Sequence, residues 1–168
     1  IGVGYSAGNA ITTGVKNIII GGLAGDAITT AEGNVAMGHS ALSSNVLGSY
    51  SLAIGFRALN NQNPASAVDM YNTAIGTDAG LAVTTGIQNT FIGGLAGDST
   101  TTGSSNVAVG KSALAANTTA SSNTAIGHGS LTANTTGADN TAVGRNALDA
   151  NTTASFNTAI GRNALTDN

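Results

Sequence analysis

The feature that most constrains this chain is a glycine that returns at a fixed step. Gly4, Gly21, Gly38, Gly55, Gly76, Gly93, Gly110, Gly127, Gly144 and Gly161 each follow Val, Ile or Met, and are here called pivots. The step from Gly4 to Gly21 is repeated between all successive pivots except Gly55 and Gly76, which stand farther apart. Four before the pivot stands Asn17, Asn34, Asn72, Asn89, Asn106, Asn123, Asn140 or Asn157, with Ser51 as the replacement. Three after it comes Ala, replaced once by Ser130, and Leu usually follows. A chain that repeats its local chemistry at a constant step builds stacked units, each touching its neighbours.

So short a repeat, seventeen positions long, leaves room for little. The phrase T-A-I-G alternates with the period of a short strand, and N-T-T-G or N-T-T-A is turn chemistry. No stretch carries the longer apolar period of a helix, and Gly, Asn and Thr are poor helix formers. Two short strands and two turns per repeat make one coil of a parallel β-solenoid, hydrogen-bonded to the next about 4.8 Å away. The expectation is an all-β fold of about ten coils, roughly 48 Å long, forming a single domain over 1–168. Its core is expected from the aliphatic residues just before each pivot, Val3, Ile20, Met37, Ile54, Ile75, Ile92, Val109, Ile126, Val143 and Ile160. Leu42, Leu59, Leu114, Leu131, Leu148 and Leu165 are expected to join them. Two coils exchange volume: Ile19 and Phe91 replace Ala two before the pivot, and Gly25 and Gly97 replace the Leu four after it. Burying one Ile and one Leu per coil contributes roughly 3–6 kcal/mol, against on the order of 17–34 for ordering its backbone. A coil therefore needs its neighbours, and so thin a column gains further burial from association with other chains.

The long step has a local cause. Its extra residues fall within 60–71, which holds the only proline, Pro64, and reads as one enlarged loop. A second level of repetition lies above the first, since residues 1–42 match 73–114 at 24 of 42 positions. The chain begins and ends in mid-pattern, which suggests a piece of a longer protein. Composition excludes other classes. Charged residues make up 8% of the chain, aromatics 4%, Gly supplies 24 positions and Cys none. That leaves no disulfide or thiolate metal site. A net charge of −3 suggests no nucleic-acid partner, and no apolar run approaches the length of a membrane span.

The phrase N-T-A-I-G-x-x-A-L resembles the S-x-A-I-G-x-x-A repeat of the head domains of trimeric autotransporter adhesins, the YadA-like head. The longer phrase N-T-A-V-G-x-x-A-L-x-x-N-T-T-G resembles repeats of bacteriophage tail-fibre and appendage proteins. The likeness covers Val3 to Leu165. One departure is the coil itself, which is longer than the repeat of the adhesin head. The resemblance implies a left-handed β-roll in a parallel homotrimer, forming a structural and adhesive fibre segment outside a cell or on a virion. It implies no catalytic residue and no cofactor.

Several local patterns invite chemistry. Lys111, His128, Arg145 and Arg162 follow the pivot on four successive coils. At about 4.8 Å, unscreened neighbouring charges repel by roughly 0.9 kcal/mol even in water. Asp139, Asp149 and Asp167 are expected to offset the row, or else it docks an acidic surface polysaccharide. Gly110-Lys111-Ser112 lacks the upstream glycine of a phosphate loop, because Ser105 stands there. Gly21-Gly22-Leu23-Ala24-Gly25-Asp26 and its copy at 93–98 offer one carboxylate each, too few for calcium, so no metal site is expected. His39 and His128 lie five coils apart and read as surface residues. Asn117, Asn134 and Asn151 open glycosylation sequons in form, and read as recurring turns. Stacked Thr and Asn raise an alternative function, an ice- or water-ordering protein.

Overall fold

The structure is a computed structural model and describes residues 1–166. Its strands are β1 (Gly2–Val3), β2 (Ile18–Ile20), β3 (Val35–Met37), β4 (Gly48–Ser49), β5 (Leu52–Ile54), β6 (Val68–Asp69), β7 (Thr73–Ile75), β8 (Thr90–Ile92), β9 (Val107–Val109), β10 (Thr124–Ile126), β11 (Thr141–Val143) and β12 (Thr158–Ile160). Ten of them form one parallel sheet in the order β1-β2-β3-β5-β7-β8-β9-β10-β11-β12, and β4 pairs with β6. The described residues hold no helix. The fold is all-β, a parallel solenoid of about nine turns.

Each coil carries one short strand and a chain of turns, where the sequence suggests two strands. The second sheet exists only beside the enlarged loop. The turns replace it because up to three non-glycine positions per coil adopt left-handed backbone. They lie two and four after the pivot and five before it, as at Asn146 (φ 55), Leu148 (φ 54) and Asp139 (φ 56). Left-handed backbone costs about 1–2 kcal/mol per residue. Hydrogen bonds to neighbouring coils offset that cost: Leu148 N–H donates to Ala164 O at 2.9 Å, and Asn146 N–H to His128 O at 3.0 Å.

The register follows the repeat without slip, so Thr124, Ala125 and Ile126 pair with Thr141, Ala142 and Val143. Pivot stacks on pivot, at φ from 128° to 136°. A Cβ on Gly127 would lie 2.5 Å from the carbonyl oxygen of Gly144. Glycine is therefore required here twice over, by conformation and by the close approach of the next backbone.

The phase of the strand differs from the sequence expectation. The residue two before the pivot points inward: Ile19, Ala36, Ala53, Ala74, Phe91, Ala108, Ala125, Ala142 and Ala159 are all buried. The residues just before the pivot, Val3, Ile20, Met37, Ile54, Ile75, Ile92, Val109, Ile126, Val143 and Ile160, therefore face outward and are not core. Ile126 is 40% exposed, Ile160 73%. Strand alternation allows only one of two adjacent residues inside, and the interior is too thin for an Ile column facing a Leu column. Alanine fits opposite Leu42, Leu59, Leu114, Leu131 and Leu148, which are fully buried. Leu165 is exposed, because no coil of this chain stacks beyond it.

Polar side chains complete the interior. Asn123 is buried, its Nδ2 donates to Gly137 O at 2.9 Å, and its Oδ1 accepts from Asn140 N–H at 3.0 Å. The same two bonds recur at Asn17, Asn34, Asn89, Asn106 and Asn140, forming an internal ladder. Satisfying a buried amide in this way avoids about 1–3 kcal/mol per unpaired group. Ser51 is too short for the task, and buried Gln62 fills the gap. Its Nε2 donates to Ser51 Oγ at 3.1 Å, and its Oε1 accepts from Asn72 Nδ2 at 2.9 Å. In the enlarged loop, residues 65–69 lie exposed between buried Pro64 and Met70.

Candidate functional site

The outward face of the ten-stranded sheet gathers most of the exposed chemistry. Its middle is the aliphatic column just before the pivots, flanked by the residue three before. That second column begins as Ile18, Val35 and Leu52 and continues mainly as Thr73, Thr90, Thr124, Thr141 and Thr158. At ladder spacing the aliphatic column is about 43 Å long. The column is a continuous apolar stripe on the surface of a chain otherwise built largely of small residues.

Two edges border this face. One is formed by the residues just after the pivots, where Lys111, His128, Arg145 and Arg162 lie along consecutive coils. Of their expected partners, Asp139 is exposed and Asp149 half-buried, and neither pairs with the row; Asp167 lies outside the described residues. Among the described residues the one ion pair is Arg57 with Asp78, bidentate at 2.8 and 2.9 Å. The same edge carries His39 stacked on Phe56, ring centroids 5.8 Å apart, with the Arg57 guanidinium 4.9 Å from the Phe56 centroid. The two histidines are not brought together: His39 Nδ1 bonds Ser40 Oγ at 2.9 Å, five coils from His128.

The opposite edge holds the left-handed residues five before the pivots. Here Tyr50 stacks on Tyr71 with centroids 5.7 Å apart and planes at 11°. The Tyr50 hydroxyl donates to Glu32, which pushes the phenol up to about 12, since losing its proton would place two negative groups together. Tyr71 donates to Asp69 Oδ2 at 3.1 Å and is raised for the same reason. Gly33 leaves room for this stack, because a Cβ there would lie 2.5 Å from the Tyr50 ring. The repeat phrases themselves do not announce this aromatic pair. The signal available was that Tyr50 and Tyr71 occupy one repeat position on adjacent coils.

Other candidates resolve into structure. Asn117, Asn134 and Asn151 are fully or almost fully buried, out of reach of a glycosylating enzyme, and bond carbonyls three positions on. Thr84, Thr101, Thr118 and Thr135 donate their hydroxyls to carbonyls one coil away. The described residues hold no group of three or more His, Cys, Asp or Glu positioned to hold a metal ion. Among the described residues no helix is long and apolar enough to cross a membrane. Asp26 and Asp98, the carboxylates of the two glycine-rich corners, each keep one buried oxygen without a partner. Compared with protein-family models, curated proteins and solved structures, the chain has no match.

Proposed function

We propose that this chain is a structural fibre segment of a cell-surface or phage appendage. Chains associate as a parallel homotrimer into a stiff extracellular rod that supports attachment to a host or other surface, with no catalytic role. One observation carries the reading: ten aliphatic side chains point outward in an unbroken column on the sheet face of the rod. Each would gain about 1 kcal/mol on being covered, on the order of 10 kcal/mol per chain. That is enough to oppose the entropy of association. The number three comes from the resemblance of the repeats to trimeric adhesin heads. Rigidity comes from backbone ladders that run the length of the rod, and the composition separately offers proteases few basic sites.

The ice-ordering alternative keeps one feature, the outward strand column Thr73, Thr90, Thr124, Thr141 and Thr158, which Val107 interrupts and bulky aliphatic side chains border. The Asn ladder lies inside the coil, and the turn threonines spend their protons on carbonyls. The cationic row suits either an acidic polysaccharide or a neighbouring chain. Sedimentation at micromolar concentration is expected to give three chains of 16.2 kDa per particle, without thermal hysteresis. A stable folded monomer, or measurable hysteresis, would overturn the reading.

A further inference from the structure

The two edges of the sheet carry side chains that suit each other and do not meet within one chain. Compare, coil by coil, the residue five before the pivot with the residue just after it. Three coils carry large groups at both places: Tyr50 with Phe56, Asp139 with Arg145, and Phe156 with Arg162. These are an aromatic pair, an opposite-charge pair and a cation beside a ring. Elsewhere a large residue faces a small one, as with Lys16 and Gly22, Gly33 and His39, or Gln88 and Gly94. No coil opposes like charges. Yet among the described residues Arg57 with Asp78 is the only ion pair, and the ring stacks run along each edge, Tyr50 to Tyr71 and His39 to Phe56. A strand lies between the edges and holds them on the order of 15 Å apart in one chain.

We propose that these edges are the two halves of one interface between copies of this chain. The residue five before each pivot meets, on the next chain and at the same coil, the residue just after the pivot. The inference rests on the parallel trimer proposed above and specifies how its chains touch. In a ring closed about an axis along the rod, each contact is heterologous, one edge of a chain against the other edge of its neighbour. Closure allows no shift along the axis, because a shift would generate an open helix. Equal coil height is therefore imposed by symmetry, and at equal height the side chains are complementary. The aliphatic column is enclosed between the two edges. Arg145 finds its counter-charge on a neighbouring chain, and the cationic edge faces protein rather than polysaccharide.

Paired cysteines test this in the full chain. With Asp139→Cys and Arg145→Cys together, mild oxidation should yield a covalent trimer as the main band on denaturing gels, while either single variant stays monomeric there. A disulfide forms only where Cα atoms approach within about 7 Å, so the double variant reports the contact itself. Arg145→Asp should weaken association roughly tenfold, and adding Asp139→Arg should restore it. A double-cysteine variant that sediments as a trimer but fails to cross-link, or single variants that cross-link equally well, would overturn the edge pairing and leave the trimer standing. Sedimentation as a monomer would overturn both.

Discussion

Two groups of coils fill the same interior in different ways. In the coils around Gly21 and Gly93 a large side chain, Ile19 or Phe91, reaches across the core, and glycine stands where others carry Leu. A Cβ on Gly97 would lie 2.5 Å from the Phe91 ring, and one on Gly25 would lie 3.0 Å from Ile19 Cδ1. The Phe91 ring also fills the space of its other neighbour, since a Cβ on Gly80 would lie 2.8 Å from it. In the last coils Ala125 and Ala142 face Leu131 and Leu148, and a second Asn ladder enters: Asn134 Nδ2 donates to Asn117 Oδ1 at 3.3 Å, and Asn151 Nδ2 to Asn134 Oδ1 at 2.9 Å. Where those asparagines stand, three earlier coils have Ile11, Ile28 and Val83. Interior volume is thus held constant while side-chain identity varies. The pivot glycine does not vary, because backbone rather than volume decides it.

The sharpest way to break this comparison is at the pivot. Gly127→Ala should cost about 4 kcal/mol in chemical denaturation, combining strain at φ 130° with a clash against Gly144. Gly94→Ala, where the nearest atom is 3.9 Å away, should stay within about 0.5 kcal/mol of the parent. Equal losses at both positions would mean that glycine serves flexibility, not close approach. Next in size is Phe91→Ala, expected to cost about 3 kcal/mol through the cavity it leaves. Adding Gly80→Leu and Gly97→Leu should recover much of that stability by converting these coils to the other filling, with Leu at the left-handed backbone already used by Leu42 (φ 53). Failure of the triple variant to recover would refute the volume exchange.

The smallest effect is electrostatic. Asp98 holds its proton more tightly than a free carboxyl, first because of burial and further because of the Asp78 charge, with backbone hydrogen bonds opposing the shift. A carboxyl whose folded value is raised works against folding once ionised, so this penalty is present at neutral pH and is relieved as pH falls through the folded value. Asp98→Asn should therefore raise the melting temperature slightly at pH 7, with the advantage shrinking as the pH approaches the carboxylate range. An advantage independent of pH would point to packing instead of charge.

The period, the parallel stacking and the exchange of Leu for glycine were legible because each recurs at fixed spacing, and a stacked fold makes spacing visible. The phase of the strand was not. Ile126 is larger and more apolar than Ala125, and size suggested the core. In so thin a coil, uniformity marks the inside: alanine is kept because nothing larger fits without a compensating glycine. The aromatic edge at Tyr50 and Tyr71 stayed hidden for a different reason. Its two members are separated by the one irregular step and become neighbours only once the enlarged loop is folded out of the coil. The replacement of an asparagine by Gln62 likewise depends on a contact that no spacing announces.

The most direct test of the central claim, that the aliphatic column is outside and joins chains, is sedimentation of Ile126→Asp beside circular dichroism. An interior position would lose the fold, since a buried unpaired charge cannot be accommodated. The outward position predicts that the strand spectrum is kept and that the particle falls from three chains to one, near 16.2 kDa. An Ile126→Asp protein that sediments with the unaltered mass of the parent assembly, or that unfolds as completely as Ala125→Asp, would contradict the account.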